Sequence, residues 1–228
     1  MDEITMHPIA HVRNGFSGKF GIPRQSGLTS TVSRIVFLPK YRSPDALRGI
    51  EGFSHLWLLW HFSECPRSEV FRPTVRPPRL GGNRAEGVFA TRSPNRPNPI
   101  GLSSVRLVGV EQNEKDGTYL VVEGADLLDG TPIFDIKPYL PSADAHPEAR
   151  GGFADAFTDY RLKVECEEGW LSLLPPEKRD ALLGVLAEDP RPAYQDDSER
   201  IYGFPFDAFE VRFRVADGVL RVTEITPR

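Results

Sequence analysis

Cysteine is scarce in this sequence of 228 residues: Cys65 and Cys166 are the two cysteines, and they form no CxxC pair. Structural zinc sites and disulfide frameworks need closely and repeatedly spaced cysteines, so the sequence predicts neither. The five histidines include no HExxH pair, and we expect no metal site. Widely separated cysteines are typical of a reducing compartment, and we therefore expect a cytoplasmic protein.

Long hydrophobic runs are also missing. The N-terminal segment, MDEITMHPIAHVRN, has no basic region followed by an apolar stretch, so we do not expect a secretory signal. The most apolar run, residues 56–60, is far shorter than the roughly 20 residues that cross a bilayer. The sequence therefore predicts a soluble protein without a membrane partner.

The common cofactor and hydrolase motifs are missing too. No GxGxxG follows a predicted strand, which argues against a Rossmann dinucleotide site or an ordinary methyltransferase site. Gly18-Lys19 is followed by Phe20, so the segment is not a P-loop. No GxSxG elbow occurs, which excludes an α/β-hydrolase.

The most distinctive stretch is residues 71–102, FRPTVRPPRLGGNRAEGVFATRSPNRPNPIGL. Its six arginines face a single acid, Glu86, in a chain of net charge −4. Proline fixes φ and removes a backbone donor, so we expect a stiff loop system with one short strand at 87–90. Fixed guanidinium and amide groups suit an anionic or planar ligand, although a solvated surface loop has a similar composition.

The N-terminal part is rich in strand patterns. Short β-branched and aromatic segments bounded by Gly and Pro predict strands at 4–12, 31–38, 53–62, 103–110, 118–123 and 131–136. Segment 53–62, FSHLWLLWHF, is nearly all apolar, which favours a strand buried on both faces. Many short strands separated by Gly/Pro turns are typical of a sandwich or a barrel.

The remainder has a different pattern. Residues 138–152 are rich in Pro, Ala and Gly and are interpreted as a linker. Beyond them the sequence predicts a strand at 157–166, a helix at 175–188 and a hairpin of strands 209–215 and 219–225. We divide the chain into a β-rich domain at 1–141, a linker at 142–156 and a small α+β domain at 157–228.

Five blocks, in this order along nearly the whole chain, carry a family resemblance: GIPRQSG at 21–27, RPTVRPPRLGG at 72–82, GVFATRSPNRPNPIG at 87–101, LLDGTPIFDIKPYLP at 127–141 and DPRPAY at 189–194. The sequence resembles the TsaA-like family, also called TrmO, of tRNA N6-methyltransferases. The resemblance implies a mainly β fold: an N-terminal small β-barrel, unrelated to Rossmann methyltransferases, with a smaller C-terminal α+β domain for tRNA selection. A homodimer is also implied.

The resemblance implies a reaction as well. It is methylation, by S-adenosylmethionine, of N6 of threonylcarbamoyladenosine at position 37, beside the anticodon of threonine tRNA. Two alternatives stay open. One is a methyltransferase of the same fold with another RNA or small-molecule acceptor, and the other is a non-catalytic β-barrel module that binds a nucleoside.

Site residues carry over by motif. The cofactor is expected to contact Pro23, Arg24, Gln25, Ser63, Glu64, Arg92, Leu102, Glu123, Gly124, Ala125 and Asp126. Many family members carry His followed by Gln or Glu where this chain has Ser63-Glu64, so a side-chain role of that His has no counterpart here.

Candidate roles follow from residue chemistry. Asp126 or Glu64 is the candidate proton acceptor, although Asp126 is equally compatible with a turn cap. Asn98, between two prolines, could direct an amide at a base. Tyr139 or Tyr194 could stack on a base. The candidate RNA-binding residues are Arg72, Arg76, Arg79, Arg84, Arg96 and Arg191.

Overall fold

The structure, a computed structural model, describes residues 4–65, 70–77, 84–191 and 197–228. The strands are β1 Ala10–Arg13, β2 Val32–Phe37, β3 His55–His61, β4 Thr74–Val75, β5 Glu86–Gly87, β6 Ile100–Asn113, β7 Gly117–Glu123, β8 Pro132–Pro138, β9 Lys163–Glu165, β10 Tyr202–Phe206, β11 Phe209–Ala216 and β12 Val219–Pro227. The α-helices are α1 Pro141–Asp144, α2 Glu168–Leu171 and α3 Pro176–Ala187.

Six strands of the N-terminal part form a closed hydrogen-bonded ring in the order β1-β2-β7-β6-β3-β8, with β8 returning to β1. All six pairings are antiparallel. Side chains alternate between the two faces of a strand, and the inward ones form a single apolar core. The prediction of a mainly β fold with a β-sheet N-terminal part is confirmed.

Two local predictions for the N-terminal part are wrong, and the predicted strand at 157–166 is a strand only at Lys163–Glu165. In β3, only alternate residues such as Leu56 and Leu58 are buried, whereas Trp57 and Leu59 on the outer face are half-buried. The predicted strand at 87–90 is mostly a 3₁₀-helix, Val88–Ala90, preceded by the two-residue strand β5. The apolar character of β3 therefore exceeds what its inner face needs.

The long connections of the ring gather at one end. In the register of the sheet, the end of β1 lies beside the start of β2, the end of β7 beside β2, and the end of β3 beside the start of β6. The connections 14–31, 62–99 and 124–131 therefore leave the ring from the same side. Most of the predicted site residues lie in these three connections.

The C-terminal part is a sheet of order β10-β11-β12-β9, in which β9 is parallel to β12. The helix at 176–187 and the β11–β12 hairpin agree with the sequence prediction, and Asp217-Gly218 makes the turn with positive φ. Tyr202–Phe206, a strand that the sequence analysis did not predict, pairs with β11. No helix in the described ranges is long and apolar enough to cross a membrane.

The first connection of the ring is built into the C-terminal core. Phe16 is buried in the same apolar cluster as Phe204, and Phe20 and Ile22 pack against that cluster. A Cβ atom on Gly21, which has φ +90°, would lie 2.3 Å from the ring of Phe204. The segment that carries the GIPRQSG block is therefore held by both parts of the chain.

Candidate functional site

Residues from all three connections meet at the loop end of the ring. Arg92 donates a hydrogen bond from Nη1 to Oε1 of Gln25. The carboxylate of Asp126 lies close enough to the Arg92 guanidinium, and to the backbone amide of Ser26, for both to stabilise its charged form. Three segments far apart in sequence thus form one cluster of Gln25, Arg92 and Asp126, which we call the loop-end cluster.

A buried chain of hydrogen bonds positions Asp126. The hydroxyl of Ser103 donates to Oδ1 of Asp126 at 2.6 Å and accepts from Nε1 of Trp60 at 2.9 Å. Ser103 is 1% exposed and Trp60 7% exposed. Gly101 makes room for the indole, because a Cβ atom there would lie 2.2 Å from the Trp60 ring. The carboxylate orientation is therefore fixed from inside the ring.

The pKa of Asp126 is raised above its ordinary value. Burial is the main cause, and the hydrogen bond from Ser103 and the charge of Arg92 act against it. A carboxylate with increased proton affinity, held in one orientation at the edge of a loop cluster, is suited to accept a proton. The alternative of a plain turn cap does not explain the Trp60–Ser103–Asp126 chain.

Two glycines join the segments that carry Gln25 and Asp126. The backbone amide of Gly27 donates to the carbonyl of Gly124 at 2.8 Å. Gly124 has φ +83°, and a Cβ atom there would lie 3.1 Å from Cα of Gly27. Ala125 is fully buried behind this contact. The close backbone approach explains why the 123–126 segment needs a glycine at its second position.

Other predicted cofactor residues lie around the loop-end cluster rather than in it. Glu123 forms an ion pair with Arg106 at 2.5 Å. Ser63 and Glu64 are exposed, and Lys19 donates from Nζ to the carbonyl of Glu64, which brings this turn against the first connection. Leu102 is 51% exposed and points outward, since it alternates with the inward-facing Ser103.

Pro23 and Arg24 face the C-terminal part. Arg24 donates from Nη2 to the backbone carbonyl of Asp189, and Pro23 is buried. Both line a cleft of about 160 Å³ between segment 19–24 and the end of α3. Arg24 therefore contacts the C-terminal part, whereas its sequence neighbour Gln25 contacts Arg92.

The DPR segment is tied together by buried polar bonds. The carboxylate of Asp189 accepts bonds from Nε and Nη2 of Arg191 at 2.9 and 3.1 Å and from the hydroxyl of Tyr160 at 2.9 Å. Arg191 has a side chain only 10% exposed. Its geometry supports a structural role at the end of α3 more than the predicted phosphate contact.

The arginine-rich connection divides into outward and inward members. Arg72, Arg76 and Arg84 are exposed, and Arg84 pairs with Glu86 at 2.7 Å. Arg96 instead donates to the carbonyls of Val88 and Thr91 at 3.3 and 3.0 Å. Arg96 therefore stabilises the loop itself.

Two further predicted residues, Asn98 and Tyr139, lie in the described part of the chain. Asn98 is exposed, and its carbonyl accepts a 2.7 Å bond from the Ile100 amide. Tyr139 packs on Trp57 with ring centroids 5.5 Å apart. Arg79 and Tyr194 lie outside the described residues. Among the residues that the structure describes, no group of three or more His, Cys, Asp or Glu side chains could hold a metal ion.

Sequence reasoning missed Ser103 and Trp60. A signal was present: Ser103 occupies an inward position in β6, between the buried Gly101 and Val105, where a polar residue requires a partner. A buried tryptophan likewise requires an acceptor for its N–H. The missing information was which residues of distant segments meet there.

Comparison with known proteins gives matches over most of the chain. Residues 11–145 match the family model of the tRNA-methyltransferase O N-terminal domain. Residues 164–228 match that of the TrmO C-terminal domain.

Individual proteins are similar over comparable lengths. A tRNA (adenine(37)-N6)-methyltransferase of Escherichia coli K12 is 42% identical, with 100% of each chain covered. A Pseudomonas aeruginosa protein that bears the name of an S-adenosylmethionine-dependent methyltransferase is 44% identical, over 84% of this chain and 83% of its own. The crystal structure of TrmO from Pseudomonas aeruginosa has a TM-score of 0.79 and 36% identity, with 100% and 99% covered.

Proposed function

This chain belongs to the TrmO family and is an S-adenosylmethionine-dependent tRNA (adenine-N6)-methyltransferase, and we propose that it methylates N6 of threonylcarbamoyladenosine at position 37 of threonine tRNA. The observation that carries the proposal is the convergence of Gln25, Arg92 and Asp126 at one end of the ring. These residues come from the three connections of the ring, 14–31, 62–99 and 124–131, which a nucleoside cofactor would have to bridge.

The residues of the loop-end cluster fit the cofactor. S-adenosylmethionine supplies a methyl group on a positively charged sulfur, and it also carries a carboxylate, an ammonium group and a ribose diol. Arg92 offers a planar guanidinium, which pairs with carboxylates through two parallel hydrogen bonds. Gln25 and Asp126 offer acceptors, and the Gly27–Gly124 contact brings backbone groups close to the same place.

Asp126 accepts the proton that N6 of the adenosine loses. S-adenosylmethionine, when bound here, would supply the methyl carbon to N6, and its sulfur would keep the electron pair of the broken carbon–sulfur bond. The raised pKa of Asp126 increases its affinity for the proton. Its fixed orientation supports an in-line approach, from which most of the rate of a displacement arises. Glu64, in the adjoining exposed turn, is the second candidate acceptor.

The exposed arginines of the second connection supply a surface for RNA. Arg72, Arg76 and Arg84 lie on a loop that also carries Arg92, and Arg79 belongs to the same sequence block. Asn98, on the same connection, is in a position to direct its amide at the base. Phosphate contacts from such a patch give affinity in spite of the net negative charge of the chain.

The N-terminal and C-terminal parts of the chain have different roles in this reaction. The ring of residues 1–141, acting as a small β-barrel, binds the cofactor, and residues 157–228 select the tRNA after a linker at 142–156. The bond from Arg24 to Asp189 joins the C-terminal part to the loop that carries Gln25. The chain forms a homodimer, and the second chain covers the exposed Leu102. The other explanation for this exposed leucine is a cofactor bound beside Leu102. We place the reaction in the cytoplasm.

The test is methyl transfer from labelled S-adenosylmethionine to total tRNA prepared from cells with and without the threonylcarbamoyl modification. We expect label in threonine tRNA, and only when the modification is present. Label in unmodified tRNA or in a small molecule would establish a different acceptor. Retention of unreacted cofactor in the presence of modified tRNA would indicate a binding module instead.

A further inference from the structure

Two phenylalanines form an exposed stacked pair on the connection that also carries Arg92 of the loop-end cluster. Phe71 is 56% exposed and Phe89 75% exposed, and their ring centroids lie 6.3 Å apart with an interplanar angle of 25°. Large aromatic side chains usually bury their surface, so an exposed pair at this place calls for a ligand. Neither residue belongs to the loop-end cluster or to the site residues carried over from the family, although Phe89 lies in the block at 87–101.

The pair is held by defined backbone contacts. Strands β4 and β5 pair Thr74 with Gly87, and the amide of Val88 donates to the carbonyl of Pro73 at 2.9 Å. Val88 is 1% exposed and anchors the 3₁₀-helix that presents Phe89 to solvent. The Arg96 guanidinium donates to the carbonyls of Val88, the first residue of this helix, and of Thr91, the residue that follows it. The exposure of Phe89 is therefore a property of a braced loop.

The surroundings of the pair are cationic. Arg72 follows Phe71 directly, Arg76 and Arg84 lie on the same two segments, and all three are exposed. Arg92 is three residues beyond Phe89, a distance of at most about 11 Å along the chain. A flat apolar surface within a basic rim is complementary to an unpaired base with its phosphates and fits an apolar protein surface less well.

We propose that Phe71 and Phe89 form a stacking platform for an unpaired base of the RNA substrate, beside the base that is methylated. The inference rests on the proposed function for the identity of the RNA as a tRNA anticodon loop. An anticodon loop offers unstacked bases, and an aromatic face accepts any of them without reading its hydrogen-bonding edge. The platform therefore contributes affinity and position, whereas other contacts select the tRNA.

The experiment compares Phe89→Ala, Phe89→Leu and Phe89→Tyr in the full-length protein. The probe is a modified anticodon stem-loop RNA with 2-aminopurine at single loop positions, whose fluorescence falls when the base stacks. We expect Phe89→Ala and Phe89→Leu to weaken RNA binding by about 5- to 150-fold and to abolish the quench at one position. Phe89→Tyr keeps both, and cofactor affinity measured by calorimetry stays unchanged in all three. Phe53→Ala, at a 36% exposed phenylalanine elsewhere, is the matched control.

The possible results test the stacking platform and the proposed function independently. Wild-type methyl transfer without any quench, or RNA binding that Phe89→Ala leaves intact, overturns the platform and leaves the proposed function standing. Quenching and binding without methyl transfer overturns only the proposed function. A change of oligomeric state in Phe89→Ala, with binding preserved in Phe89→Leu, would show that a second protein chain occupies the surface.

Discussion

Ser103 and Asp126 are joined by a 2.6 Å hydrogen bond in which the serine hydroxyl, itself held by Trp60, donates to the carboxylate. This bond favours the charged form of Asp126 and fixes its orientation. In Ser103→Ala we expect the pKa of Asp126 to rise further and kcat to fall by about 10- to 100-fold, the effect of one bond to a charged group. The acid limb of the pH–rate profile should move to higher pH.

The control for this change is Ser104→Ala, one residue away on the outer face of β6. We expect its rate and pH profile to match the wild type. A Ser103→Ala profile that coincides with the wild-type profile would mean that the serine supports packing only.

Asp126→Asn should separate activity from stability. Because burial raises the pKa of Asp126 in the folded protein, that state binds more protons than the unfolded state between the ordinary and the raised value. Stability is therefore lost as the pH rises through this window. The asparagine variant should be at least as stable as the wild type at pH 7 and lose this pH dependence, while methyl transfer falls by about 10²- to 10⁴-fold.

Urea unfolding across the acid and neutral range measures the first part, and single-turnover methyl transfer measures the second. A variant that is less stable than the wild type at pH 7 would contradict the destabilising effect of the buried charge. Retained methyl transfer would move the proton acceptor to Glu64.

Local pattern was enough for much of the fold and for little of the site. The alternation of Phe209, Val211 and Phe213 with charged residues predicts β11 correctly, because the pattern and the strand lie in the same segment of the chain. The bond from Arg24 to Asp189 joins residues 165 positions apart, and no periodicity encodes such a pairing. The insertion of Phe16 into the C-terminal core is of the same kind.

The arginines show the same limit on a smaller scale. Composition marks Arg76 and Arg96 equally as phosphate ligands, yet one is exposed and the other bonds the backbone of its own loop. The difference depends on the 3₁₀-helix at Val88–Ala90, a segment whose sequence pattern predicts a strand. The motif marks the connection, and the backbone geometry distinguishes its exposed arginines from the one that bonds its own loop.

Arg92→Ala should weaken cofactor binding. Loss of a charge-assisted, two-point contact with a carboxylate costs about 1.5–3 kcal/mol, so we expect an increase in Kd of about 10- to 150-fold in calorimetry. Arg48→Ala is the control, because Arg48 is an exposed arginine that pairs with Asp45 on the connection between β2 and β3, at the far end of the ring. Unchanged binding in Arg92→Ala would remove this arginine from the cofactor site.

Gly21→Ala should destabilise the protein by disturbing the C-terminal core. The added Cβ atom would meet the Phe204 ring at 2.3 Å and would impose a left-handed backbone on alanine, so we expect a loss of about 2–5 kcal/mol of unfolding free energy. Gly49→Ala also has positive φ but no atom within 4 Å of the new Cβ, and should cost only about 1–2 kcal/mol. Equal losses in the two variants would mean that the Phe204 contact relaxes freely.

Salt dependence should distinguish the outward arginines from the inward one. Each phosphate contact adds about 0.7–0.9 to the slope of log affinity against log salt, so Arg76→Ala should lower the slope by that amount and leave unfolding unchanged. Arg96→Ala should leave the slope unchanged and reduce the unfolding free energy by about 1 kcal/mol, because its bonds to Val88 and Thr91 are lost in a half-buried place. Binding measured by filter retention from low to physiological salt, with thermal unfolding of the same samples, gives both quantities. A reduced slope in Arg96→Ala would show that this guanidinium leaves its loop carbonyls to bind phosphate when RNA is present.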